Sequence, residues 1–198
     1  MALQAVSFDD AAKERIKAAA DFERRLRLES LLLLPTQVEP FTLMPLTARN
    51  FLHLEYAENR IIEGRGMIDD FVHLLWTVRP STDTRREKAF AKFVVKKLTI
   101  HHRQEIEAWV NVQFNDMPQN GSNQHVNEFE SGVWLCTLID TIASEYGWSM
   151  DTILDTPLAT SFQLFQRVIK RNDTKYSLRN GITQAAKAQE MKGLKANG

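Results

Sequence analysis

The chain of 198 residues carries 25 basic and 25 acidic side chains, and 43% of its residues are hydrophobic. This length fits one domain, or one domain with a tail, and the hydrophobic content excludes a fully disordered chain. The zero net charge argues against a general nucleic-acid coat. The single cysteine, Cys136, excludes an intramolecular disulfide and every multi-cysteine zinc site.

Nothing in the sequence predicts a membrane partner. The longest fully apolar run covers residues 31–34 and ends at Pro35, far short of the ~20 residues of a spanning helix. Residues 1–5 contain no basic cluster and no apolar segment, so we expect no secretory signal. The predicted location is a cytoplasm, either a cell's own or that of an infected host.

Residues 1–44 are predicted to form an N-terminal helix and a proline-containing connector. Residues 9–29 are rich in helix formers but poor in apolar positions, which predicts a helix that is exposed or bound by a partner. Residues 35–46 hold three prolines. Since proline cannot occupy a helix interior, this segment is predicted to be an extended connector.

Residues 45–170 are predicted to be a helical domain, because apolar side chains recur there at helical spacing. Thr47 is a candidate N-cap for a helix that carries one apolar stripe. Gly64 and Gly66 are predicted to end this helix. The stripe consists of Phe51, Leu54, Ala57 and Ile61. A second helix covers residues 67–79 and stops at Pro80. A long helix follows, with caps among residues 81–83 and a kink or break around residues 99–103.

After a polar loop at residues 115–124, a helix is predicted over residues 126–146. Its expected core face is Leu135, Leu138, Ile139 and Ile142. Gly147 suits a left-handed residue after the helix, and Ser149 suits the cap of a short helix. Thr156 and Pro157 are predicted to start the last helix, as N-cap and first residue. The predicted fold class is therefore all-α, a compact bundle of six to eight helices with a long or kinked central helix and peripheral N- and C-terminal segments.

Charge is balanced overall but separated along the chain. Residues 101–160 contain nine acidic and one basic side chain, whereas residues 161–198 contain eight basic and two acidic ones. Complementary blocks suit partner recognition or a head-to-tail homo-oligomer; solvated faces that differ in charge are the alternative. The candidate contact residues lie on the first helix and in the basic region that includes the tail at residues 171–198: Arg24, Arg25, Arg27, Lys170, Arg171, Lys175 and Arg179.

No catalytic motif stands out. His101 and His102 followed by Glu105 share a helix face in part, but no third metal ligand lies near in sequence. Cys136 falls in an apolar helix and is most simply a small core residue. Gly64-Arg65-Gly66 lacks the third glycine and the preceding strand of a phosphate-binding loop. We therefore expect no enzyme, no cofactor and no metal.

A helix-turn-helix around Gly147 is disfavoured. The second helix, over residues 149–156, carries Asp151 and Asp155 and has no lysine or arginine. Acidic side chains repel phosphates, so nucleic-acid binding through the basic tail stays a secondary hypothesis.

Several spaced motifs resemble small proteins encoded among the tail genes of tailed bacteriophages. In the N-terminal half they are Pro45–Arg49 with Leu52 and Leu54, then Phe71–Trp76 with Val78 and Pro80. The step Phe114–Pro118 also fits. In the C-terminal half they are Tyr146–Ser149, Ile153–Leu154, Thr156–Leu158 and Phe162–Phe165. Together they cover about residues 45–170, and none is a catalytic signature.

This resemblance implies a helical, non-enzymatic tail assembly chaperone that binds the tape measure protein or another tail component. It would act in the cytoplasm of the infected host cell. Two alternatives stay open: a connector or minor tail protein that is retained in the virion, and a nucleic-acid-binding helical protein that uses the basic tail.

Overall fold

The computed structural model describes residues 8–31, 34–114, 116–117 and 134–172. These residues contain eight α helices, one 3-10 helix and a two-stranded sheet, which confirms the predicted all-α class. The helices are α1 (Phe8–Leu31), α2 (Ala48–Tyr56), α3 (Ile68–Thr77), α4 (Glu87–Lys97), α5 (Ile100–Phe114), α6 (Trp134–Tyr146), α7 (Met150–Asp155) and α8 (Leu158–Asn172).

The proline-containing segment is not the extended connector that we predicted. It forms an antiparallel hairpin of β1 (Thr36–Val38) and β2 (Phe41–Leu43), with Val38 opposite Phe41. The three prolines precede β1, occupy the turn and follow β2, so none removes a ladder donor. Because Val38, Phe41 and Leu43 are all buried, the hairpin belongs to the core.

Helix α1 is attached to this core along one side. Leu26 is fully buried, and α1 contacts both α5 and α8. The Thr36 hydroxyl also donates a hydrogen bond of 2.8 Å to Glu29, which links the helix to the hairpin. The expectation of an exposed helix is correct for Arg24 and Arg25 but wrong for Leu26.

Helix α2 is shorter than its apolar stripe predicted. The Thr47 side chain caps it by accepting from the Asn50 N–H at 3.1 Å, as expected. The helix ends at Tyr56, and Glu58 adopts a positive φ of 53°. Asn59 then caps a separate 3-10 helix, Arg60–Glu63, so Ile61 reaches the core from a second element.

The long helix after Pro80 is broken, as predicted. Helix α4 ends at Lys97 and α5 begins at Ile100. The expected caps at residues 81–83 are wrong, because Arg86 is the N-cap residue of α4. Asp83 instead accepts from the Arg85 N–H at 3.1 Å.

The C-terminal helices follow the predicted turn chemistry at two of three places. Gly147 has φ of 66°, and Ser149 accepts from the Thr152 N–H at 3.2 Å to cap α7. Thr156 is not the N-cap of α8: it ends α7 and its hydroxyl donates to the Thr152 carbonyl at 2.7 Å. The predicted residues 115, 118–133 and 173–189 of loop and helix lie outside the described residues.

An aromatic cluster of two buried phenylalanines and two half-buried rings joins four helices. Trp134 lies 5.1 Å from Phe51 and 5.6 Å from Phe162, ring centre to ring centre. Phe114 contacts both of those phenylalanines, at 5.7 and 6.1 Å. Cys136 was expected in this core, but it is exposed, because it lies two residues from the inward-facing Leu138. Among the described residues, no helix has the length and hydropathy of a membrane span.

Candidate partner-binding surface

Two of the predicted arginines of α1, Arg24 and Arg25, have described side chains, and both are exposed. Arg25 lies 3.6 Å from Glu29 and 5.1 Å from the centre of the Phe22 ring. The side chain of Arg27, and all of Lys175 and Arg179, lie outside the described residues.

The predicted cations of the last helix lie in its final turn. Lys170 is half-buried. Arg171 donates to Glu145 at 2.9 Å and its guanidinium lies 5.5 Å from the centre of the Tyr146 ring. This cation of the basic block therefore meets an acid of the acidic block within the same chain. Pairing between copies stays a prediction.

His101 and His102, the candidate metal ligands, have local partners. The Nε2 atom of His101 lies 3.6 Å from Glu105. Nδ1 of His102 lies 3.0 Å from the Lys97 carbonyl oxygen and 3.2 Å from the Thr99 nitrogen, just before the start of α5. Across the described residues, no three or more His, Cys, Asp or Glu side chains form a group able to hold a metal ion.

Two halves of the tail-protein resemblance lie side by side. The Leu158 N–H donates to the Leu46 carbonyl at 2.8 Å, and Thr47 forms an antiparallel bridge with Pro157. The start of α2 is thus fixed against the start of α8, although the two segments are more than 100 residues apart.

An exposed ion-pair cluster closes this junction. Nε of Arg49 donates to Asp155 at 2.6 Å, and an Nη of the same guanidinium donates to Asp151 at 3.0 Å. The hydrogen bonds from Arg49 lower the pKa of the Asp155 carboxyl, and the two carboxylates raise the pKa of Arg49 above its ordinary value. All three side chains are substantially exposed, so these ion pairs are expected to add little to stability and to weaken with salt.

An open groove separates α3 from α4. It has a volume of about 240 Å³ and is lined by Val72, His73, Trp76, Phe90 and Ala91, with Asp69 and Glu87 beside them. Phe90 is buried, whereas Val72, Trp76 and Ala91 are half-buried, so apolar atoms line a recess that solvent reaches. A concave recess lined by apolar side chains with a few polar groups is a candidate binding site.

A second, smaller cleft shares Phe90 with this groove. Its volume is about 160 Å³, and it lies between the β-hairpin turn and the end of α3. The guanidinium of Arg79 stacks 3.1 Å from the centre of the Trp76 ring, and that of Arg85 lies 4.0 Å from the centre of the Phe93 ring. The cleft is lined by Pro40, Phe41, Thr42, Leu75, Arg79, Pro80, Asp83, Arg85, Phe90 and Phe93.

Arg79 is the unusual member of this cleft. Its Nη1 atom is buried and has no hydrogen-bond partner among the described residues. A buried donor without an acceptor costs about 1–3 kcal/mol. Sequence analysis missed this residue, because no local pattern distinguishes an arginine three positions after a tryptophan from any other helix-end cation. The three-residue spacing of Trp76 and Arg79 is the one sequence feature that relates them, and Arg79 itself lies two residues beyond the end of α3 at Thr77.

Comparison of this chain with protein-family models, with curated proteins and with solved structures finds no match.

Proposed function

We propose that this chain is a non-enzymatic tail assembly chaperone of a tailed bacteriophage, acting in the cytoplasm of the infected cell. Its partner is an amphipathic helix of the tape measure protein, which binds in the groove between α3 and α4. The groove is the structural observation from which we infer that the chain binds a partner. The identity of the partner comes from the sequence resemblance.

The shape of the groove suits a helix. Its lining residues on α3 are Asp69, Val72, His73 and Trp76, which recur every three or four positions and so follow one helix face. Glu87 and Ala91 on α4 are one turn apart in the same way. A partner helix lying between the two would present apolar side chains at the same spacing, which is the helix-in-groove mode of peptide recognition.

The charges of the groove define the partner further. Asp69 and Glu87 are exposed carboxylates on its two sides. A bound helix with lysine or arginine flanking its apolar stripe would place positive charge near both. We therefore expect the bound segment to be basic as well as amphipathic, with the charges selecting orientation and partner more than affinity.

Two of the motifs behind the resemblance, Pro45–Arg49 and Thr156–Leu158, contact each other in the fold. A tape measure protein is long, helical and rich in apolar stripes, so covering those stripes before assembly is a role that needs binding surface and no catalysis.

Co-expression tests the proposal. The tape measure protein of the same tail gene cluster is produced in bacteria alone, with this chain, or with an unrelated helical protein of similar size. We expect the tape measure protein to be largely insoluble when it is produced alone or with the unrelated protein. With this chain, we expect it to be soluble and bound in a complex. Unchanged solubility in all three would contradict the proposal. Mass spectrometry of purified particles then separates the chaperone, which is scarce, from a structural tail component, which is present in fixed copy number.

A further inference from the structure

We infer that the cleft around Arg79 is a second recognition site, which binds one carboxylate side chain of a partner polypeptide together with an adjacent apolar residue. The inference rests on the proposed function only in taking the ligand to be a polypeptide. The site shares Phe90 with the α3–α4 groove and no other lining residue.

The size of the cleft limits its ligand. A volume of about 160 Å³ lies below the ~300–1,000 Å³ of sites for small molecules and cofactors. It accommodates one or two side chains. Pro40, Phe41 and Phe93 provide apolar contact surface, and Thr42 adds a hydroxyl at the edge.

The charge of the cleft favours an anion. Two guanidinium groups and one carboxylate line it. Asp83 is already engaged, since it accepts from Arg85 at 2.9 Å through the side chain and at 3.1 Å through the backbone N–H. Arg79 has no carboxylate within ion-pair distance among the described residues, so its positive charge is the uncompensated one.

The guanidinium of Arg79 is held in an orientation that suits a planar hydrogen-bond acceptor such as a carboxylate. Stacking on Trp76 uses the face of the guanidinium and leaves its N–H groups, which lie in the plane, for hydrogen bonds. A carboxylate matches that edge with two parallel hydrogen bonds. The buried Nη1 without an acceptor shows that the fold itself does not use the full donor set.

An NMR titration tests this inference with two defined probes. The probes are the acetylated tripeptide amides Phe-Glu-Phe and Phe-Gln-Phe, which differ only in the carboxylate. The side-chain Nε–H signal of Arg79 is followed in the full chain. We expect saturable shifts with the Glu peptide and at least tenfold weaker binding of the Gln peptide.

Variants separate the cleft from non-specific charge effects. Arg79→Met keeps an unbranched stem against Trp76 but removes the donors, and is expected to weaken binding of the Glu peptide at least tenfold. Arg86→Met removes an exposed cation that lines neither cavity, and is expected to leave binding unchanged. If Arg79→Met fails to fold, Arg79→Lys preserves the charge without the two-pronged geometry and is expected to bind several times more weakly than the natural chain.

Equal binding of both peptides, or equal loss in Arg79→Met and Arg86→Met, overturns the carboxylate site. That result leaves the α3–α4 groove untouched, because tape measure binding is measured separately. Conversely, a chain that binds the Glu peptide through Arg79 but does not bind the tape measure protein retains the carboxylate site and loses the proposed function.

Discussion

Arg49 and Asp155 are separated by 106 positions in the chain, yet Nε of Arg49 lies 2.6 Å from the Asp155 carboxylate. The two residues join α2 to α7, where the Leu46 carbonyl also receives the Leu158 N–H at 2.8 Å. Backbone and side-chain contacts therefore fix one end of the helical domain against the other.

This ion pair predicts a pH-dependent stability. The folded-state pKa of Asp155 lies below its ordinary value of 3.8 because Arg49 donates to the charged carboxylate. Above the ordinary pKa, the ion pair makes its full contribution to the free energy of unfolding. That contribution is lost as the pH falls through the lower folded-state pKa. Urea unfolding at pH 7 and pH 3 measures it. We expect the loss of stability in acid to be smaller in Asp155→Asn than in the natural chain.

The control is Asp140→Asn. Asp140 is exposed on α6 and makes no ion pair with a described residue. Its variant should lose stability in acid as the natural chain does. If the two variants respond to pH in the same way, the Arg49 pair contributes nothing measurable.

The aromatic cluster predicts a large cost for truncating Phe162. This side chain is fully buried and contacts both Trp134 and Phe114. Phe162→Ala is expected to lower the free energy of unfolding by about 3–5 kcal/mol, from lost burial and the cavity left behind. Tyr56→Ala, at a side chain that is 93% exposed, is expected to stay within about 0.5 kcal/mol. Comparable losses in the two variants would contradict this assignment of the core.

Gly147 is predicted to resist substitution for backbone reasons alone. Its φ is 66°, and an added Cβ would meet no atom within 4 Å. Gly147→Ala is therefore expected to cost about 1 kcal/mol from the left-handed conformation. Ser144→Ala, three residues earlier and exposed on α6, should not destabilise the chain. A neutral Gly147→Ala in chemical unfolding would show that the turn has another conformation.

Cys136 is predicted to react in the native state, since its side chain is exposed on α6. Ellman's reagent should titrate one thiol per chain without denaturant, at a rate close to that in urea. If the thiol reacts only after unfolding, Cys136 is buried in the native state, as the sequence predicted.

The sequence was most informative where a single residue dictates local geometry. Thr47, Ser149 and Gly147 were recognised because hydroxyl caps and left-handed glycines depend on adjacent backbone alone. The β-hairpin was missed, because each strand has three residues and the flanking prolines suggested an irregular connector. Thr156 failed as an N-cap because the backbone bond from Leu158 to Leu46 starts α8 at a later position, and that contact is long-range.

The candidate site was beyond the reach of sequence patterns. The groove depends on how far α3 and α4 lie apart, which tertiary packing sets. The stack of Arg79 on Trp76 likewise depends on the turn after α3, where β2 and the end of α3 are tied by the bond from the Met44 N–H to the Val78 carbonyl at 2.7 Å. Of the predicted contact residues, Arg24, Arg25, Lys170 and Arg171 are in the described part of the chain, and neither cavity includes them.

The most direct test of the account is the affinity of the tape measure protein for two matched variants on α4. Ala91 lines the groove, whereas Ala89 on the same helix is exposed and lines neither cavity. Each alanine is replaced by glutamate in a separate variant. The affinity of each purified variant for the purified tape measure protein is measured by calorimetry. If the partner helix binds in this groove, Ala91→Glu binds at least tenfold more weakly and Ala89→Glu binds like the natural chain; equal affinity of the two variants would contradict binding at the groove.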